Sequence, residues 1–414
     1  MRPGGKAGKP EAAIELVIRF GRALHAHGTS SHRLEEALDR LSQHLGLAGQ
    51  FFSTPTAIFA SFSGGGATER TVLVRAEPGS TNLEKLTQVE TVLTDVLRDR
   101  LGLASALKAL DAIAAAPSRF GPVVTTLAFG LASGSAARFL GGGWMEIATA
   151  AGLGLLIGLL ALLTARRPNA SRLFEPFGAF LATALATALA AWLASSGLGR
   201  LAPYIAALAG MIVLVPGLTL TSAMSELGAR HLVSGSARLS GAIVTFLLIA
   251  FGVALGQRIA TALAGMPPES TPVPMPAWTE PAAFAASALG LLVLFRARLR
   301  DYPWVLAGVF LAVAGSRLGG SLLGAEFAAF VGAFVLGLGA HLFRRLLKRP
   351  SALIQVPGLM VLVPGSIGFK SVSALLSQDV LAGVATAFTA TLVAVSLVTG
   401  LLIANVLVAP RRLL

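Results

Sequence analysis

An octapeptide recurs in this chain with six of its eight residues unchanged. Gly210-Met-Ile-Val-Leu-Val-Pro216-Gly217 returns as Gly358-Leu-Met-Val-Leu-Val-Pro364-Gly365, both times inside a long apolar run. The same offset pairs Ser225 with Ser373, Leu227 with Leu375, Gly235 with Gly383, Ala237 with Ala385 and Gly252 with Gly400. Two helical hairpins therefore match in register, which marks an internal duplication. In a membrane protein, apolar segments interrupted by Pro-Gly at equivalent places in two halves point to a transporter's substrate site.

The setting is a bilayer. Hydrophobic residues make up 54% of the chain and charged residues 13%, against roughly 25% charged in soluble domains. The absence of cysteine excludes disulfides, thiolate metal sites and thiol nucleophiles. The net charge of +13 is unevenly placed: residues 1–119 hold 14 Lys and Arg against 12 Asp and Glu, so most of the excess flanks apolar segments. There it reads as a topology signal. No basic stripe with interleaved aromatics supports a nucleic-acid partner.

Residues 1–119 contain no apolar run near the ~20 residues that span a membrane. They read as a soluble α+β domain. A helix from about Ala12 to His27 ends at Gly28, and Thr29, Ser30 or Ser31 can cap a second, His32 to Leu45, with leucines 34, 38, 41 and 45 on one face. Phe51 to Phe62 and Thr71 to Arg75 read as strands separated by Gly64-Gly65-Gly66, followed by helices from Asn82 to Arg98 and onward to Ala115. Met1 to Pro10 is basic and rich in Gly and Pro, and does not read as a signal peptide.

From Phe120 onward the expected fold is mainly α, a polytopic membrane protein with ten spans near 120–138, 144–165, 174–195, 203–224, 239–262, 279–296, 303–323, 326–344, 353–376 and 382–408. With 1–119 in the cytoplasm, 14 of 19 basic residues fall in inside loops; Arg138, Arg200, Arg258, Arg317 and Lys370 fall outside. Both termini are then cytoplasmic. Residues 120–265 form one five-helix repeat and 279–414 a second, joined by an external Pro-rich linker, 266–278. An odd number of helices per repeat makes the repeats inverted, the arrangement that alternating access uses.

Proline lacks an N–H and clashes with the carbonyl four residues back, so Pro216 is expected to free the carbonyl of Ile212, and Pro364 that of Met360. Gly217 and Gly365 let the chain bend. Such backbone must line a cavity or be buried in protein, and the half-helix beyond it offers N–H groups to an anion. A proline kink that only serves packing is the simpler alternative. Polar residues cluster beyond both breaks: Thr219, Thr221, Ser222, Ser225 and Glu226, then Ser366, Lys370 and Ser373. Candidate substrate ligands are Pro216, Gly217, Thr221, Ser222, Ser225, Pro364, Gly365, Ser366 and Lys370. Glu226 is placed to take a proton or meet an ammonium group, with Arg238 as partner, and Lys370 to meet a carboxylate. The competing reading makes Glu226 and Arg238 an interfacial pair and lets Lys370 snorkel.

Gly154/Gly158, Gly315/Gly319 and Gly320/Gly324 read as close helix packing. His25, His27, His32 and His44 with Glu35 and Glu36 lack the spacing of a metal motif and read as solvated surface, so no metal is expected. Ser30, His32 and Asp39 supply the residue types of a hydrolase triad, but no G-x-S-x-G elbow occurs. The absence of G-x-x-x-x-G-K-[ST] argues against ATP-driven transport.

The chain resembles the threonine/serine exporter family over nearly its whole length. The resemblance lies in Gly28-Thr-Ser-Ser-His-Arg33-Leu34-Glu35, Thr54-Pro55-Thr56, Val74-Arg75 with Pro78-Gly79, and Asn82-Leu83 with Lys85-Leu86. More specific are Val215-Pro216-Gly217, Ser234-Gly235-Ser-Ala-Arg238 and Val363-Pro364-Gly365-Ser366. Some relatives carry the two parts as separate polypeptides; here they are fused. The resemblance implies export of threonine and serine, or of dicarboxylates such as succinate, driven by protons; no cofactor is expected. A membrane-anchored hydrolase in residues 1–119 is the alternative from another class, and a homo-oligomer is left open. Two departures stand out. Glu226 replaces an expected Asp, and Arg230-His231 replaces an expected Gly-Asp, whereas the second repeat keeps an acid, Asp379, as a proton-coupling candidate. His231 can titrate where an Asp does not.

Overall fold

The computed structural model describes residues 8–408 apart from 65–66, 77–78, 80, 166, 168–170, 363–366, 369–370, 372–373 and 375–378. It is mainly helical with one three-stranded sheet, and forms two compact units. The first contains residues 1–119, 222–239 and 295–297; the second contains 120–221, 240–294 and 298–414.

In the first unit, α1 (Gly8–Ala26), α2 (Ser31–His44), α3 (Leu83–Leu97) and α4 (Leu103–Ala115) accompany strands β1 (Ala48–Thr54), β2 (Ala57–Gly64) and β3 (Ala67–Arg75). The strands pair antiparallel in the order β1-β2-β3, with Phe52 opposite Phe59 and Phe59 opposite Leu73. The apolar run from Phe51 to Phe62 is therefore two strands, because Pro55 ends the ladder and a turn at 55–56 folds the chain back. Ile58, Ala60, Phe62 and Val74 are buried with Leu16, Val17, Phe20 and Leu24 of α1 and Leu34, Leu38 and Leu41 of α2. Each of these Val, Leu, Ile and Phe side chains contributes about 1.5–3 kcal/mol. Gly28 ends α1 at φ 90°.

Two helices of this unit are capped from far along the chain. A helix N-terminus leaves N–H groups without partners. At α3, Leu83 and Glu84 donate theirs to the carbonyls of Phe295 and Arg296, at 2.9 and 3.3 Å. At α2, Ser30 occupies the cap position but its side chain makes no capping bond, and the partner comes from the hairpin at 222–239 described below.

The other helices are α5 (Pro122–Phe139), α6 (Trp144–Thr164), α7 (Phe174–Ser196), α8 (Pro203–Gly210), α9 (Gly217–Gly228), α10 (Leu232–Ala264), α11 (Thr279–Leu294), α12 (Tyr302–Leu323), α13 (Ala328–Leu347), α14 (Ala352–Leu362) and α15 (Val380–Leu407). Among the described residues six helices are long and apolar enough to cross a membrane, seven if the bent pair at 203–228 is one span. The expected first, sixth and ninth spans correspond to α5, α11 and the described part α14, which fall short of that measure.

Small residues bring these helices together. Added Cβ atoms would fall 2.5 Å from Ser133 Oγ at Gly154 and 3.0 Å from the Gly332 Cα at Gly315. The expected packing role of Gly320/Gly324 is corrected: Gly324 sits in open space at φ 94°, where it ends α12. Gly252 and Gly400, paired by the duplication, make the same approach. A Cβ on Gly252 would lie 2.1 Å from the Pro176 carbonyl oxygen and 3.1 Å from the Phe180 nitrogen; on Gly400, 2.3 Å from Phe330 and 3.0 Å from Phe334. Likewise Gly235 and Gly383 donate their N–H groups to the carbonyls of His231 and Asp379, both at 2.9 Å.

Candidate functional site

The fourth apolar segment is broken where the sequence places Pro216. After α8 the chain makes a short 3-10 turn, Ile212–Leu214, and the segment Ile212–Gly228 leaves at 48° to α8. Proline cannot continue the α-helical ladder, so the preceding turn tightens. Leu214 N–H donates to Met211 instead of Gly210, at 2.9 Å, and the Gly210 carbonyl accepts from Ser133 Oγ of α5, also at 2.9 Å. The Ile212 carbonyl expected to be free accepts from Val215 N–H at 3.3 Å, a correction that follows from the same tightening. Gly217 opens α9 and is buried, Pro216 is half-buried, and Thr221 Oγ1 turns back to the Gly217 carbonyl at 3.1 Å.

Farther along α9 lies a buried polar cluster, contained within the first unit. Ser222 and Ser225 are half-buried, whereas Glu226 is fully buried. Its Oε1 accepts the Ser31 N–H at 2.9 Å, its Oε2 accepts the Ser234 hydroxyl at 2.7 Å, and Arg238 Nε lies 3.0 and 3.2 Å from the two oxygens. Ser31 Oγ and Ser234 Oγ share a further bond of 2.7 Å. A carboxylate at a helix N-terminus is favoured by both the free N–H and the helix dipole. Glu226 thus fills the vacant cap of α2.

The hairpin corner carries a second contact. Arg230 N–H donates to Leu227 and His231 N–H to Glu226, closing α9 with Arg230 at φ 65°, the left-handed conformation that favours glycine. This accounts for the Gly expected at that position. His231 Nδ1 then lies 3.5 Å from Glu35 Oε2, one turn along α2 from Ser31, while Glu35 Oε1 accepts Ser53 N–H at 2.7 Å. The rings of His32 and His231 are 6.1 Å apart. Burial, reinforced by Arg33 and His231, pushes His32 down to about 4. Burial also lowers His25 and raises Glu35, the latter opposed by the Ser53 N–H and His231.

The solvated-surface reading of these histidines is therefore overturned for His25 and His32. His25 is buried, with Nε2 against the Thr54 carbonyl at 3.1 Å. His25 Nδ1, Thr29 Oγ1, His32 Nδ1 and Ser53 Oγ are buried without a hydrogen-bond partner among the described residues. No group of three or more His, Asp or Glu among those residues is arranged to hold a metal ion. Asp39 is bonded to Gln43 at 2.8 Å and sits seven residues, about 10 Å, from His32 along α2, too far for a triad.

The structure thus joins Glu226 to Arg238 as the sequence suggests. Asp379 instead caps α15, accepting the Ala382 N–H at 3.1 Å, and is exposed. Pro364, Gly365, Ser366, Lys370 and Ser373 lie outside the described residues. Sequence reasoning missed Ser31, Ser234 and Glu146. Glu146 is buried and accepts Gly143 N–H and Ala202 N–H, each at 2.8 Å; its place three residues after Gly143 was the available signal.

Two family models match the chain. One, described as "Putative threonine/serine exporter", covers residues 15–260; the other, described as "Threonine/Serine exporter, ThrE", covers 281–407. Curated relatives include pheromone-regulated membrane protein 10 of Candida albicans, 28% identical over 86% of this chain and 33% of its own length. The proteins of the same name from Eremothecium gossypii and Kluyveromyces lactis are also 28% identical over 86% of this chain, and over 48% and 38% of theirs. The chain thus spans a third to about half the length of these relatives. No solved structure matches it at a significant level. With both parts matched and several helices fit to cross a bilayer, the chain belongs to the threonine/serine exporter family of membrane proteins.

Proposed function

We propose that this protein is a secondary exporter of small amino acids, threonine and serine, which it moves across the cytoplasmic membrane in exchange for protons. The observation that carries the reading is the apolar span bent by 48° between Gly210 and Ile212, one turn before Pro216, in a chain of the exporter family. Irregular backbone at membrane depth is tolerated where it lines a cavity or is buried in protein. Ser133 already satisfies one carbonyl there, which also favours a packing role. The duplication of the Pro-Gly motif favours a use beyond packing.

The proposed architecture has ten spans, in two inverted repeats at 120–265 and 279–414, with 266–278 outside and 1–119 in the cytoplasm. The matching approaches of Gly252 and Gly400 support the repeat. Substrate contacts are assigned to Pro216, Gly217, Thr221, Ser222 and Ser225, and in the second repeat to Pro364, Gly365, Ser366 and Lys370. Proton coupling is assigned to Glu226 with Arg238, and to Asp379. Protonating Glu226 would weaken its bonds to Ser31 and Arg238, so proton uptake and loosening of the hairpin would be one event.

Counterflow in proteoliposomes, with labelled threonine, serine, other amino acids and dicarboxylates, tests the assignment. Exchange of threonine and serine, with flux that follows an imposed pH gradient, is expected. Exchange of dicarboxylates alone would move the substrate class to succinate-like acids, and no exchange of either would reject transport. Pro364→Ala should lower flux more than folded yield; unchanged flux returns that residue to packing.

A further inference from the structure

The first unit holds its hairpin by two carboxylates of opposite origin. Glu226, from the hairpin, caps α2; Glu35, from α2, faces His231 at the hairpin corner. The two have unequal capacity for new charge. Both oxygens of Glu226 are engaged by Ser31, Ser234 and Arg238, so Arg238 already balances it. Glu35 has one oxygen on Ser53 N–H and the other on His231.

His32 and His231 face each other from α2 and from the hairpin, 6.1 Å between ring centroids. The charged and titratable groups around His32 are Arg33 and Glu35 on α2, Glu226 on α9, and His231 at the start of α10. His25 of α1 and Arg238 lie in the same field; β1 contributes only the neutral Ser53 and the Thr54 carbonyl. His25 donates through Nε2 to that carbonyl, so its Nδ1 is unprotonated at neutral pH. Protonating both facing rings would therefore add two imidazolium groups to a cluster whose carboxylates are Glu226, already paired with Arg238, and Glu35. One carboxylate is already matched. The second cannot neutralise both rings, and the buried His32 Nδ1 has no acceptor waiting for its proton among the described residues.

We propose that the His32–His231 pair makes this contact acid-labile: the α9–α10 hairpin is held on α2 while the facing rings are neutral and is released when both take a proton. The lowered His32 and His25 agree in direction, since burial opposes the charged form of each. The inference stands on the cluster alone and does not rest on the transport assignment.

The absence of native cysteine permits a direct test on the full chain in lipid nanodiscs. Spin labels on Glu36→Cys and Ser236→Cys, both exposed positions, report the distance between α2 and the hairpin. Between about pH 7.5 and about pH 5, which brackets ordinary imidazole titration, the docked distance should lose roughly tenfold in population relative to the undocked one. His32→Gln, and independently His231→Asn, should keep the docked distance at both values. A wild-type distance unchanged with pH overturns the proposal, as does a loss of docking in both variants equal to that of the wild type. Variants already undocked at the higher pH would make the rings packing groups alone, which also overturns it.

Discussion

Glu226→Gln is the sharpest perturbation of the cluster. The replacement keeps shape but removes a charge that Arg238, Ser31 and Ser234 all address, and it turns one acceptor into an NH2 facing donors. Removing one member of a buried ion pair costs about 3–5 kcal/mol, because the remaining charge is left buried. Arg238 keeps 19% of its side chain exposed, so water relieves part of that cost and the lower end applies. About 3 kcal/mol corresponds to roughly 150-fold in the docking equilibrium. The Ser31 amide is itself a donor to Glu226, so hydrogen exchange reads the change where it occurs. In the full chain, exchange in the first turn of α2 should accelerate by roughly two orders of magnitude. The double variant Glu226→Gln with Arg238→Met should recover part of the protection, since it leaves no unpaired charge. Exchange at the wild-type rate in Glu226→Gln, or a double variant worse than the sum of the singles, would refute the reasoning.

Three other outcomes are expected. Arg230→Gly should raise the melting temperature by an amount equivalent to about 1 kcal/mol, because Arg230 holds a left-handed conformation that glycine adopts without strain. Gly252→Ala and Gly400→Ala should each reduce the yield of monodisperse protein in size-exclusion chromatography, whereas Gly241→Ala, with nothing within 4 Å, should not. The stability of the first unit should fall with acid: an unfolded His32 binds its proton near pH 6.5 and the folded one near 4, so its contribution is full above the former and lost toward the latter, about 3 kcal/mol in all. Glu35 works in the opposite sense, because its raised value favours the folded state on the acid side and is offset as pH rises. His32→Gln should flatten the acid limb of a melting-temperature profile.

The helices were legible because their signals are local. Trp144–Thr164 and Phe174–Ser196 end within a residue of the expected 144–165 and 174–195, since apolar length and caps are read from neighbouring residues. The pairing of Glu226 with Arg238 was also legible, twelve residues apart across one hairpin. The pairing of Glu226 with Ser31 was not. Their separation is 195 residues, and nothing near Ser31 announces that its helix lacks a cap of its own. For the same reason His25 and His32 resemble surface residues in the sequence, yet the sheet and the hairpin cover them.

Composition and apolar period were enough to mark a membrane protein, and likeness to relatives in short motifs marked the exporter family, because each signal is carried by residues close together in the chain. Only the tertiary structure decided which carboxylate meets which backbone N–H. A buried polar group takes whatever partner packing brings within about 3 Å, and packing joins α2 to a hairpin half the chain away.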